Sequence, residues 1–151
     1  GPKVLEFNCR FGDPEAQVIL PRLRSCLTTL LEAAALDSVA SVELEWSSRA
    51  ALCVVMAAAG YPVSPRAGDV IEGLDELELG DDLFIDHAGT RLRDDELFTA
   101  GGRVLSVGAL GADIAAARKK AYAAASKIRF DGCRMRSDIG AAAGRPAVGT
   151  K

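Results

Sequence analysis

Between residues 61 and 102 the chain is interrupted at Gly68, Gly73, Gly80, Gly89 and Gly101-Gly102. No apolar run between those glycines is long enough to make a helix of ordinary length. What remains are short apolar pieces at Val70-Ile71, Leu83–Ile85, Thr90–Arg93 and Leu97–Thr99. That punctuation predicts antiparallel strands joined by tight turns. The flanks extend the pattern. Ala50–Ala58 is apolar and branched at Val54-Val55, which predicts a buried strand, and Arg103–Leu110 predicts another. Gly111 and Asp113 then open a helix to about Lys127, with Ile114, Ala117, Ala121, Tyr122 and Ala125 turned inward and Arg118, Lys119 and Lys120 turned to solvent. A last short strand is expected at Ile128–Phe130.

The first 36 residues read differently. Leu5, Phe7, Cys9 and Phe11 alternate with Val4, Glu6, Asn8 and Arg10, the period-2 pattern of a strand with one apolar and one polar face. Gly12-Asp13-Pro14 turns the chain. Asp13 is placed to cap a helix, Pro14 suits its first position and Glu15 favours its positive end. The helix is expected to reach Leu36 along an apolar face of Ile19, Leu23, Cys26, Leu27, Leu30, Leu31 and Ala34, with a kink or irregularity at Pro21. Residues 37–48 are a connection with room for a short strand. The expected class is therefore α+β. A strand–helix unit spans 1–36, a β-rich unit with one late helix spans 37–140, and a loose tail spans 141–151.

Composition narrows the possible partners. A chain of 151 residues with 49% apolar and 26% charged residues is neither disordered nor collagen-like. Its 18 basic and 21 acidic residues leave a net charge of −3, spread along the sequence, with no basic footprint for nucleic acid. No apolar run approaches the roughly 18 residues of a membrane span. Cys9, Cys26, Cys53 and Cys133 form no CxxC pair, and the lone His87 cannot complete a zinc site with them. Free thiols in a reducing cytoplasm are expected.

Glu6, Asn8 and Arg10 share the polar face of the first expected strand, roughly 6–7 Å apart. A carboxylate and an amide oxygen at that spacing can both bind a hard cation such as Mg²⁺. A guanidinium beside them can fork onto a carboxylate or phosphate. Metal and arginine together suit phosphoryl chemistry, in which a protein mainly positions and neutralises anions. Spacing alone leaves an exposed polar face on an edge strand as an equal reading. Elsewhere the signals are weaker. His87 in His87-Ala88-Gly89-Thr90 reads as a turn histidine, and Asp75–Glu78 with Asp81-Asp82 as a solvated loop. Arg134–Asp138 reads as an anion contact or a surface ion-pair network. No GxxxxGK or strand-linked GxGxxG occurs.

Residues 10–17, Arg-Phe-Gly-Asp-Pro-Glu-Ala-Gln, preceded by Glu6-Phe7-Asn8-Cys9, resemble the signature of the phosphoribosylamine–glycine ligase family. The resemblance continues in order through Leu20–Leu23, Trp46–Ala51, Gly60-Tyr61-Pro62, His87–Thr90, Thr99–Leu105 and Asp138-Ile139-Gly140. Ala16, Cys26, Asp86, Met135 and Ala142 depart from residues common in the family, and none of them belongs to the Glu6/Asn8 pair.

The resemblance implies the ending of an ATP-grasp enzyme: the last strand and helix of its ATP-grasp domain, then a β-rich C-terminal domain. The chain opens at Gly1 rather than Met, and the family's N-terminal domain and most of its nucleotide-binding region precede the signature. The missing N-terminal domains of the same chain would then be its partners, and apolar side chains are expected to be exposed along the first strand and the helix at 14–36. The implied reaction joins glycine to 5-phosphoribosylamine. Glycine's carboxylate attacks the γ-phosphate of ATP, and the amine then displaces phosphate from glycyl phosphate. The implied metal ligands for Mg²⁺ or Mn²⁺ are Glu6 and Asn8, and Arg10 is the expected anion contact. The chain alone is expected to be inactive. Two alternatives stand beside this: a non-catalytic packing module, and a related carboxylase-type enzyme, against which the signature at 10–17 speaks.

Overall fold

The computed structural model describes residues 1–143; of the expected tail, residues 144–151 lie outside the described residues. The fold is α+β. Three antiparallel strands make the main sheet: β1 (Ala50–Ala57), β2 (Leu83–His87) and β5 (Arg103–Gly111), in the order β1-β5-β2. Between β2 and β5 the chain makes a separate hairpin of β3 (Thr90–Arg93) and β4 (Glu96–Thr99). The glycine-punctuated region is thus antiparallel β, as its spacing predicts. Val70 and Arg129 contribute single bridges, to Phe98 and Glu72, where short strands were expected.

β5 is the centre of the molecule. It pairs with β1 from Ala50↔Gly111 to Met56↔Leu105 and with β2 from Leu83↔Ala109 to His87↔Leu105. Every residue from Val104 to Leu110 is buried, because both faces of the strand are covered. On one face Leu52, Val54 and Ala109 meet Ala117 and Ala121 of α3 (Ile114–Ala125). Met56, Leu105 and Val107 continue that layer against Ala124, Ala125, Ile128 and Phe130. Alanines let the helix approach closely. A Cβ on Gly111 would stand 2.4 Å from the Ala117 backbone nitrogen. α3 begins where Asp113 caps it, accepting the Ala116 N–H at 2.7 Å.

The opposite sheet face, by the strand alternation, carries Cys53, Phe84, Asp86, Ser106 and Gly108. Over it lies a short helical arm. α1 (Ala16–Ile19) runs into a 3₁₀ turn at Leu20–Arg22, and Ala16, Gln17, Leu20 and Pro21 with Phe84 and Asp86 line a cavity of about 420 Å³.

Two expectations for the secondary structure of the first 36 residues need correction. The helix is not continuous to Leu36. It stops at the 3₁₀ turn holding Pro21, Leu23 is extended at ψ 125°, and residues 22–24 pair with 45–47 through a Leu23↔Trp46 bridge. α2 (Leu27–Ala35) then starts afresh. Proline supplies no N–H to the ladder, which ends the helix where irregularity was expected. Nor do residues 4–11 form a strand here. A strand is completed by a neighbouring edge, and among the described residues no backbone pairs with this segment. Its alternation leaves Leu5 96% and Phe7 85% exposed. Val4, Phe11, Ile19, Leu31 and Leu36 are exposed as well, where apolar exposure was expected.

Candidate functional site

The polar residues singled out in the sequence lie on the exposed segment that leads into the helical arm. Glu6, Asn8 and Arg10 are all exposed, and among the described residues no hydrogen bond or ion pair joins them to one another. The Arg10 guanidinium donates to the carbonyl of Phe11 at 2.9 Å. The donor chemistry suits a hard cation, since both Glu6 and Asn8 offer oxygen. Among the described residues no group of three or more His, Cys, Asp or Glu side chains is assembled to hold a metal.

The segment is anchored at Gly12-Asp13. Gly12 is buried, and its carbonyl accepts the Ala16 N–H at 2.9 Å. Asp13 does not cap α1, which follows Glu15 with no side-chain cap. Its carboxylate instead receives Gln17 Nε2 at 3.0 Å on one oxygen and lies 3.3 Å from Arg103 Nη2 on the other. Arg103 Nη1 also donates to the Asp13 carbonyl at 2.9 Å. This joint links residues 90 positions apart, and no spacing rule within either segment announces it.

The other candidates resolve into structural roles. His87 Nδ1 lies 3.1 Å from Thr90 Oγ1, closing the turn between β2 and β3. Arg136 grips Asp138 through two contacts at 2.9 and 2.6 Å and holds that carboxyl below its usual range, which is the ion-pair reading of residues 134–138. Within the acidic stretch, Asp82 takes Lys120 Nζ at 3.0 Å and pairs with Arg49. Burial pushes the Cys53 and Cys133 thiols up. Cys26 is exposed at the start of α2, where the Thr29 backbone N–H draws its pKa down.

A three-stranded antiparallel sheet covered by a helix on one face and a short arm on the other, with an exposed segment bearing Glu6, Asn8 and Arg10 leading into the arm, defines an α+β domain. The comparisons place that class within one family. Residues 51–142 match the family described as "Phosphoribosylglycinamide synthetase, C domain", and the chain belongs to that family. A phosphoribosylamine–glycine ligase of Streptomyces coelicolor is 51% identical over 146 residues, 95% of this chain and 35% of the relative. One from Escherichia coli is 54% identical over 140 residues, 92% of this chain and 32% of the relative. The crystal structure of a Thermotoga maritima phosphoribosylamine–glycine ligase superposes with a TM-score of 0.69 at 35% identity, covering 91% of this chain and 33% of that one. The chain therefore spans about a third of the length of the relatives it matches.

Proposed function

We propose that this chain is the C-terminal part of a phosphoribosylamine–glycine ligase of purine biosynthesis, an ATP-dependent enzyme joining glycine to 5-phosphoribosylamine. The observation that carries the reading is identity of half or more over nine-tenths of the chain to ligases of that name, with the signature run at residues 10–17 inside the matched stretch. Within it, residues 1–36 would complete the ATP-grasp domain and residues 37–140 would form the C-terminal domain. The place of work would be the cytoplasm. Among the described residues no helix is long and apolar enough to cross a membrane.

Glu6 and Asn8 would hold Mg²⁺ or Mn²⁺ as two oxygen ligands of a sphere completed by ATP and by residues outside this chain. The metal's contribution there is to neutralise phosphate charge. Arg10 would steady an anion, either a phosphate or the glycine carboxylate, its forked donors fitting two oxygens at once. Two ligands and one guanidinium bind and orient; they do not enclose a nucleotide.

The reading is tested by ADP release from ATP, glycine, 5-phosphoribosylamine and Mg²⁺. The full-length ligase is expected to turn over and this chain alone to release no ADP. In the full-length enzyme, Glu6→Ala or Asn8→Ala is expected to raise the metal requirement by roughly tenfold or more. An unchanged metal requirement in both variants would instead favour a packing role for this segment.

A further inference from the structure

The segment that carries Glu6, Asn8 and Arg10 has no backbone partner of its own among the described residues, so its direction is set where it joins the fold. That joint is Gly12-Asp13. The Gly12 carbonyl is tied to the Ala16 N–H, and Gly12 itself is buried. Both Asp13 carboxylate oxygens are engaged, one by Gln17 and one by Arg103, and its main-chain carbonyl takes a second bond from the same guanidinium.

We infer that Arg103 is a positioning residue: its guanidinium, holding the Asp13 carbonyl and carboxylate together, fixes the path along which residues 6–10 lead into the helical arm. Three features make it a fixed post. It opens β5, whose next seven residues are buried. Its backbone is registered against Ala57 at the end of β1. Its two donors lie in one rigid plane, so gripping two acceptors of one residue fixes orientation as well as distance, which a lysine's single point charge does not. Arg10 stands three residues from the clamped Asp13, at most about 10 Å of extended chain. A rotation at Asp13 therefore moves the metal-seeking and anion-seeking side chains together.

The inference rests on the proposed role of Glu6, Asn8 and Arg10 in the ligase, and its rival is a solvated ion pair that contributes little. Two measurements decide it. In this chain, amide hydrogen exchange is followed in Arg103→Ala, Arg103→Lys and Asp13→Asn. Arg103→Ala is expected to speed exchange of the Ala16 amide about tenfold while the Val54 and Val107 amides of the main sheet keep their rates, with Lys recovering only part. In the full-length ligase, Mn²⁺ affinity in the presence of ATP is read by electron paramagnetic resonance, and Arg103→Ala is expected to weaken it by roughly tenfold. Unchanged exchange at Ala16, or an equal rise at Val107, overturns the clamp. Glu6→Ala is measured in parallel. If it weakens Mn²⁺ binding and Arg103→Ala does not, the positioning role fails alone. If neither variant changes Mn²⁺ binding, the metal assignment fails and the positioning role falls with it.

Discussion

Asp82 ties three elements at one carboxylate. It precedes β2, takes Lys120 from α3 at 3.0 Å, and pairs with Arg49 just before β1. The Lys120 hydrogen bond, aided by the charges of Lys120 and Arg49, holds its pKa below the ordinary 3.8. A carboxyl whose folded pKa is depressed stabilises the fold above its unfolded pKa, and that contribution is lost as the pH falls through the folded value. Asp82→Asn is therefore expected to unfold at lower urea than the parent at neutral pH, and the two are expected to converge in acid below the carboxylate range. A gap that persists unchanged into acid would remove the ion pair as its cause. At this scale the sequence singled out the acidic stretch but not its pairing, because Lys120 and Arg49 are remote in the chain and meet Asp82 only through the sheet.

The elements differ in how far local chemistry decides them. α3 is specified by its own residues: Asp113 caps it, and alanines recur on the face laid against β1 and β5. Asp113→Ala is expected to cost about 1 kcal/mol, the usual value of an N-cap side chain, read by urea unfolding with an unchanged m-value. The N-terminal arm is the opposite case. Residues 4–11 carry a strand's alternation, yet a strand needs a neighbour, and none of the described residues supplies one. The expected long helix fails for a local reason at Pro21 and a tertiary one beyond it, since residues 22–24 exchange helical bonds for pairing with 45–47.

For the molecule as a whole, β5 is the element that both faces share. Leu105 is 1% exposed and lies in the cluster that joins β5 to α3 and to Ile128 and Phe130. Leu105→Ala is expected to cost about 2–5 kcal/mol through lost burial and the cavity left behind, a large part of the roughly 5–15 kcal/mol that holds a domain of ordinary stability. The urea midpoint is expected to drop accordingly. A loss well under 1 kcal/mol would mean that the layer between β5 and α3 collapses to fill the space left by Leu105.

Read residue by residue, the chain already declares its class, the antiparallel strands between the glycines, the capped final helix and the run at residues 10–17 that points to the family. The class, the strands and the helix rest on short-range physics, side-chain period and turn and cap chemistry; the run at residues 10–17 speaks through its resemblance to a family signature. The role of Asp13 emerges from the folded chain alone. Its local setting reads as a helix cap, but the guanidinium that reaches it stands at Arg103, on a strand laid down 90 residues later. Local spacing does not encode a contact made across the fold. Glu6 and Asn8 were legible as oxygen donors in an alternating run; the Arg103 guanidinium that grips Asp13 became visible once β5 was in place.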